Sequence, residues 1–500
     1  MNKPNHSQII LMKGASMKNY FKISIVLFIC TIFNGTIQAQ NFNDALRLGE
    51  PGINTGARSL AMGNAYVALS NDFSASLFNP AGFGLIKKME LSTGLNYNSY
   101  DNNTGFFNSK TDLSNSLTKF SQIGVTLPFP TVRGSFVVAI GYNQVKDFNK
   151  VIGFSGYNSG SNSYIQDLTS YNDDIAFKLA LSYPTYDANN KYVEDVTRIN
   201  GGLNQRGTLK QEGGINSWSF SGALEIEENL FLGATVNIYS GTLKKTKDYY
   251  EEDLYDNYPS TLLLDPIEPA SADFKSFFLR DIIDWDITGA GLKLGGMLKM
   301  DNNINVGATI KLPTKWTIKE DYSISSSSLF GTGERFYYEP EQERFEYEIS
   351  TPAEFSVGAA FTTKNVTLSG NATYIDYSKM EFEGGLDFNA TLDKNADIVD
   401  LMRSVINLNA GIEYILPNSG IALRGGFMLM PSPFKEDPGE YDKKFITAGI
   451  GYNFSQSSSV NIAYVYGWWN DIGDNYGVNV SRTFQEIKFQ NFVTSFKFFL

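Results

Sequence analysis

The residues that most often carry enzymatic chemistry are nearly missing from this chain, and the few present lie where processing would remove them. Its one histidine is His6 and its one cysteine is Cys30. From Met17 the sequence runs "MKNYFKISIVLFICTIFNGTIQAQ", with Lys18 and Lys22, an apolar run from Ile23 to Phe33, and the small residue Ala39. That is the pattern of a secretory leader, so residues 1–39 read as a signal peptide cut near Ala39/Gln40. The apolar run is shorter than the roughly 20 residues a spanning helix needs. Ile29 rather than a small residue precedes Cys30, which argues against a lipid anchor. A mature chain without His or Cys cannot run Ser-His-Asp, Cys-His or His-metal chemistry. The expectation is no enzyme, no cofactor and no metal site.

Carboxylates remain. Glu334, Glu339, Glu341, Glu343, Glu346 and Glu348 crowd one stretch, and Asp248, Glu251, Glu252, Asp253 and Asp256 another. Neither has the spacing of a calcium loop, and both read as solvated segments. The whole chain carries −12, and losing Lys3, Lys13, Lys18 and Lys22 with the leader takes it to −16. Such an acidic protein is a poor partner for nucleic acid.

The elements that must position any site are strands. Segments of about ten residues alternate with period two. In "LFLGATVNIYSG", Leu230, Leu232, Ala234, Val236 and Ile238 face one way, and Phe231, Gly233, Thr235, Asn237 and Tyr239 the other. The same pattern predicts strands near 88–99, 120–127, 134–146, 216–226, 230–244, 285–299, 303–321, 344–362, 366–382, 404–416, 420–431, 442–454, 458–468 and 488–500. Short turns at 227–229, 301–303, 363–365, 417–419 and 456–459 alternate with long polar loops at 100–119, 147–215, 245–284, 322–343, 383–403, 432–441 and 469–487. This asymmetry, with an even strand count, predicts an all-β fold: a 14-stranded antiparallel transmembrane β-barrel over residues 88–500. A fifteenth segment, 173–186, breaks that parity and is assigned to the second outer loop, with a short helix from Asp173 or Asp174. Trp468 and Trp469 read as an interfacial girdle. The ending "NFVTSFKFFL" is similar to the terminal strand read by the barrel assembly machinery, although Leu500 departs from a final aromatic.

Residues 40–87 are not strand-like. Ala57, Leu60, Ala61, Gly63, Ala65, Val67 and Ala68 suit short packed helices, and a segment so apolar needs burial in the lumen as a helical hatch, or plug. Within it lies "LFNPAGFGL" (Leu77 to Leu85). Pro80 fixes its own φ and pushes Asn79 toward an extended conformation. Ala81 and Gly82 permit close backbone approach, and Phe78 and Phe83 offer apolar surface. A Pro corner of this kind equally well just ends a helix and docks it.

The stretch "SLAMGNAYVALSNDFSASLFNPAGF" resembles the amino-terminal hatch of the FadL/TodX family, outer-membrane channels for long-chain fatty acids and other hydrophobic compounds. "TPAEFSVGAAFTTKNVTLSGNATYIDYSKMEF", "IALRGGFMLMPSPF" and "FITAGIGYNFSQSSSVNIAYVYG" extend the resemblance over nearly the whole mature chain. It implies a barrel of fourteen strands in the outer membrane of a Gram-negative cell. It also implies a hatch whose Asn79-Pro80-Ala81 element lies near substrate, and an inward kink in one strand that opens a lateral portal. Passive uptake would follow, with exit sideways into the bilayer. The partners would be a long-chain fatty acid or other hydrophobic small molecule, lipopolysaccharide and outer-membrane lipid. Phe42, near the mature terminus, is a further ligand contact on this reading. A fatty-acid carboxylate would want a cation, for which Lys311, Lys315 and Lys319 in "IKLPTKWTIKEDY" and Arg424 in "ALRGGF" are candidates; the commoner use of barrel cations is at the rim or against lipopolysaccharide. The alternative is a PorV-like outer-membrane component of a protein secretion system, which shares the hatch pattern.

Overall fold

The computed structural model describes residues 41–53, 56–170, 174–300, 303–477 and 480–500, so the expected leader lies outside the described residues. Helices α1 (Phe42–Gly49) and α2 (Ala57–Ala61) come first, followed by 3-10 turns at Phe73–Ser76 and Pro80–Leu85. Then come β1 (Glu90–Phe106), β2 (Ser109–Phe129), β3 (Phe136–Asp147) and β4 (Lys150–Asn158). The second outer loop holds α3 (Tyr164–Ser170), α4 (Asp174–Lys178) and a small hairpin of β5 (Tyr183–Tyr186) and β6 (Tyr192–Val196). The wall continues through β7 (Leu203–Glu227), β8 (Leu230–Glu252), β9 (Phe274–Met300), β10 (Ile304–Lys311), β11 (Thr314–Phe330), β12 (Arg335–Thr351), β13 (Glu354–Thr362) and β14 (Val366–Asp376). After β15 (Glu381–Gly384) and α5 (Phe388–Leu401), it ends with β16 (Ser404–Ile415), β17 (Ile421–Met430), β18 (Lys443–Ser455), β19 (Ser458–Asp474) and β20 (Arg482–Phe499).

All wall pairings are antiparallel, and β1 meets β20 from Glu90–Phe499 to Gly105–Phe484, which closes the sheet. Fourteen staves result from eighteen strands because four are built from two strands each, one of them β14 in line with β15, which pair with β13 and β12. β3 and β4 both pair with β7, β10 and β11 both pair with β9, and β12 and β13 run in line between β10–β11 and β14. Two of these breaks have a sequence cause. Pro313 separates β10 from β11, and Pro352 separates β12 from β13. Neither proline can donate to a ladder, and the two interruptions face each other across the same strand pair.

The alternation is realised as expected. On β8, Leu232, Val236 and Ile238 are about half exposed toward the acyl layer, while Phe231, Thr235, Asn237 and Tyr239 are buried inside. The short turns at 227–229, 363–365, 417–419 and 456–459 fall where expected, at the end from which the hatch enters, while residues 301–302 of the fifth lie outside the described residues. In the second outer loop the second described helix is Asp174–Lys178, and β5 pairs only with β6, so the described residues 174–186 lie outside the wall, as expected. Two expected loops are instead strand. Residues 100–119 form a hairpin turning at Phe107–Asn108, and 322–343 form one turning near 331–334. Polar residues on both faces look like loop in a sequence, but a hairpin standing above the membrane has water available to its outer face. For the same reason β7 begins at Leu203 rather than near 216.

The outer mouth is packed. Trp285, Tyr347, Tyr249 and Phe274 point inward from the strand extensions and share one buried cluster with Leu46 of α1, Ile165 of α3 and Ile398 of α5. Lower down, the hatch meets the wall through glycines. At Gly233, Gly295, Gly307, Gly411, Gly426 and Gly449, a Cβ would overlap Pro80, Asn79, Val67, Met62, Gly63 and Ala61 respectively. Replacing Gly307 with Val should therefore unseat the hatch at a cost of about 1–3 kcal/mol while the wall still closes. Single-channel conductance in a planar bilayer should rise, with heat-modifiable gel mobility unchanged.

Candidate functional site

Between the hatch and the packed mouth lies a cavity of about 200 Å³. Leu48 and Ile53 of the amino-terminal segment, Phe78 of the hatch, and Trp316, Met428 and Met430 of the wall supply its apolar lining. Lys146, Lys293 and Lys311 enter it alongside two carboxylates, Glu354 of the wall and Glu50 of the amino-terminal segment, the latter paired with Lys443 at 2.7 Å. Lys311 pairs with Glu354 at 2.7 Å. Lys146 donates to the carbonyls of Arg47 and Leu48 at 2.6 and 3.0 Å, holding the end of α1. Lys293 donates to the carbonyl of Leu77 in the hatch. Two of the three ammonium groups are thus spent on neutral carbonyls that an anion could replace.

The candidate cations separate. Lys311 lines the cavity, but Lys315 and Lys319 point outward, paired with Glu348 and Glu383 and with Glu346. Simple alternation puts all three on one face, but the break at Pro313 shifts the parity by one residue. Arg424 is buried beneath the hatch, 2.5 Å from Glu413. Lys146 and Lys293 were missed. For Lys293 the signal was available in "GLKLGGM" (Gly291 to Met297), where inward parity puts it between Gly291 and Gly295, but one lysine in a strand is a common sight.

The hatch motif acts mainly as a dock. Asn79 caps the turn Pro80–Leu85 by accepting from the Ala81 amide at 3.1 Å. Its amide group donates to the carbonyls of Val67 at 2.9 Å and Gly296 at 3.1 Å, tying hatch to hatch and hatch to β9. Pro80 and Ala81 lie buried on the wall, and a Cβ at Gly82 would overlap the Ser70 carbonyl. Phe83 is buried with Phe73, Ile86 and Val137. Of this group Phe78 alone is among the cavity-lining residues, with its ring edge-on to Tyr66 at 5.6 Å. Phe42 packs against Phe434 near the mouth, 6.1 Å between centroids.

Charge holds the hatch at its lower edge. Arg58 reaches Glu413 of β16 at 3.0 Å, and Asp72 accepts from Lys497 of β20 at 2.6 Å and from the Tyr66 hydroxyl at 2.8 Å. Burial alone would raise the Asp72 carboxyl, but the charges of Lys497 and Arg58 outweigh it and hold the group well below the usual carboxylate range.

The described wall has a further discontinuity, along the stave of β3 and β4. β2 pairs with β3 only from Phe129–Phe136 up to Gln122–Asn143. Beyond it β2 keeps β1 as its partner, while β4 stays with β7. β4 crosses to the lumen side of the β1–β2 hairpin, where Asn102 donates to the Val151 carbonyl at 3.0 Å and Leu113 packs on Gly153. A gap is left between β2 and β7. Phe120, Tyr142 and Trp218 form its lower lip, with ring centroids 6.0 and 5.9 Å apart.

Residues 39–487 match the family model described as outer membrane protein transport protein (OMPP1/FadL/TodX). The chain belongs to this family. Its members are outer-membrane channels for hydrophobic compounds, and this barrel is an outer-membrane transport protein. The fold agrees with that of a Pseudomonas aeruginosa FadL homologue (TM-score 0.53, 15% identity, 90% of this chain and 98% of that one). It also agrees with the Pseudomonas putida toluene transporter TodX (TM-score 0.51, 13% identity, 90% and 99%). No functionally curated protein sequence matches the chain. In this FadL/TodX-family barrel, neutralising Asp72 as Asn should loosen the hatch by up to about 3–5 kcal/mol, because the buried Lys497 loses its direct partner and keeps only the nearby Glu90. The depressed Asp72 group contributes stability that is complete above the unfolded value of about 3.9. That contribution is lost as pH falls toward the native value. Protection factors over residues 57–85, which correct hydrogen exchange for its intrinsic dependence on pH, should therefore fall from pH 7 to pH 3, and D72N should flatten that dependence.

Proposed function

We propose that this channel passes amphipathic hydrophobic compounds bearing one anionic group, with long-chain fatty acids as the leading case. The observation behind this is the excess of cavity lysines over carboxylates beside an apolar lining. Lys146 and Lys293 exchange a backbone carbonyl for the ligand's carboxylate, while Lys311 stays with Glu354. Charge-assisted hydrogen bonds of this kind are worth about 1.5–3 kcal/mol each. The tail then gains about 0.8 kcal/mol for each methylene buried.

Size decides what must move. An engineered apolar cavity of about 150 Å³ binds benzene. At about 200 Å³, the closed cavity takes a ring or a head group, and a long tail has to displace the segment carrying Leu48 and Ile53. Because Lys146 holds that segment by its carbonyls, capture of the carboxylate frees one of its two ties to the wall, the other being the Glu50–Lys443 pair. Downward exit through the hatch would break the Arg58–Glu413 and Asp72–Lys497 pairs, so the side gap beyond Phe120 and Trp218 is the cheaper route, into the membrane. No external energy source enters this scheme. A neutral aromatic hydrocarbon, of the sort named for TodX, is the second reading, favoured by the cavity's size. A PorV-like secretion role has no specific feature of the barrel behind it.

The two substrate readings separate at Lys293. Replacing it with Met should weaken oleate binding about tenfold and leave toluene binding within twofold, read by calorimetry in detergent. Equal, unchanged affinity for oleate would remove the anionic-substrate reading.

A further inference from the structure

The gap in the third stave is not left open. Lys119 of β2 sits on the lumen side of the hairpin, opposite the buried Asn96. Its ammonium reaches the carbonyl of Gly213 on β7 at 2.8 Å, so one side chain spans the place where a paired stave would run. The same ammonium lies 3.1 Å from Asp147, the last residue of β3. Asp147 is fixed in turn, accepting from the Asn98 amide at 2.5 Å and from the Asn149 backbone N–H at 2.8 Å. Beside this pair, Asn115 of β2 donates to Asn149 at 2.6 Å. Gly213 adopts φ +117, and a Cβ there would overlap the Thr242 carbonyl, so only glycine turns this peptide oxygen toward the gap.

Every other wall junction is held by a ladder of backbone bonds. Here four side chains replace it, and side chains can let go without dissolving a sheet. Asp147 is buried while Lys119 keeps 25% of its side chain exposed, so water can reach the ammonium and take its place on the carboxylate. Asp147 directly follows Lys146, whose side chain holds the amino-terminal segment on the cavity side, and Gly52 of that segment packs on the Val145 carbonyl. The cover over the cavity and the closure of the gap are therefore carried by adjacent residues of one strand.

We propose that Lys119 and Asp147 form a releasable bolt across the side opening, so that the rate of lateral exit is set by breaking this pair. The inference rests on the uptake function proposed above and adds the residues that gate its exit. The mature chain has no cysteine, so a pair introduced as Asn115→Cys and Asn149→Cys can be oxidised without competition. The experiment measures, in the full-length barrel, both binding of radiolabelled oleate in detergent and its transfer across proteoliposome walls into an acceptor protein. The oxidised pair should bind as the unmodified barrel does and transfer at least tenfold more slowly, with the rate restored by dithiothreitol. Lys119→Met should transfer several-fold faster with binding unchanged. Full transfer by the oxidised barrel, with binding intact, would overturn the bolt and leave the uptake function standing. Slower or unchanged transfer by Lys119→Met would also overturn it. An unmodified barrel that neither binds nor transfers oleate would sink the fatty-acid function and the bolt with it.

Discussion

A peptide group in the acyl layer has no water to bond, so each must find a partner in the protein. The whole architecture follows from that one requirement. It forces the first and last strands to meet, sets the even number of staves, and makes any interruption of the ladder something that must be repaired locally. At Pro313 and Pro352 the repair is cheap, because two interruptions face each other and neither proline had a donor to lose. Along the third stave it is not cheap. There the missing backbone partners of β2 lie at and above the outer lip, where polar side chains take their place.

The hatch obeys the same rule from the inside. Its short turns leave many peptide groups unmatched, and these are met by wall side chains or brought against wall glycines. Asn79 shows the economy of this: one side chain caps its own turn, ties two parts of the hatch together and bonds the wall. Around the rim, opposite charges buried in a space with little water hold the plug far more firmly than they would on a surface. The elements held by side chains rather than by backbone ladders are then the amino-terminal segment, tied by Lys146 and by the Glu50–Lys443 pair, and the wall at the gap.

Much of this was legible in the sequence. Leu232, Val236 and Ile238 announce their lipid-facing side by alternation alone, and parity of strand count correctly sent segment 173–186 outside. What alternation could not show was where both faces are wet, as in 100–119, since polar residues there look like loop. Nor could it show a change of phase. Lys311, Lys315 and Lys319 share odd numbers and seem to share a face, yet a proline between them reverses the parity. Arg424 fared similarly: its fate depends on Glu413 across a turn and on Arg58, 355 residues from that glutamate, and no local pattern encodes such a meeting. Asn79, in contrast, was recognisable as a corner residue, and its geometry is that of a dock.

The pair between Asp72 and Lys497 joins residues 425 positions apart, one in the hatch that precedes β1 and the other in the last strand. Synthesis therefore delivers the plug long before its anchor exists. During insertion the plug must wait, with a charged carboxylate awaiting its mate, until the final strand closes against the first. Seating of the plug is thus a late event that only a completed cylinder permits, and a chain cut short of its last strand would leave an open, unplugged sheet rather than a leaky but finished pore.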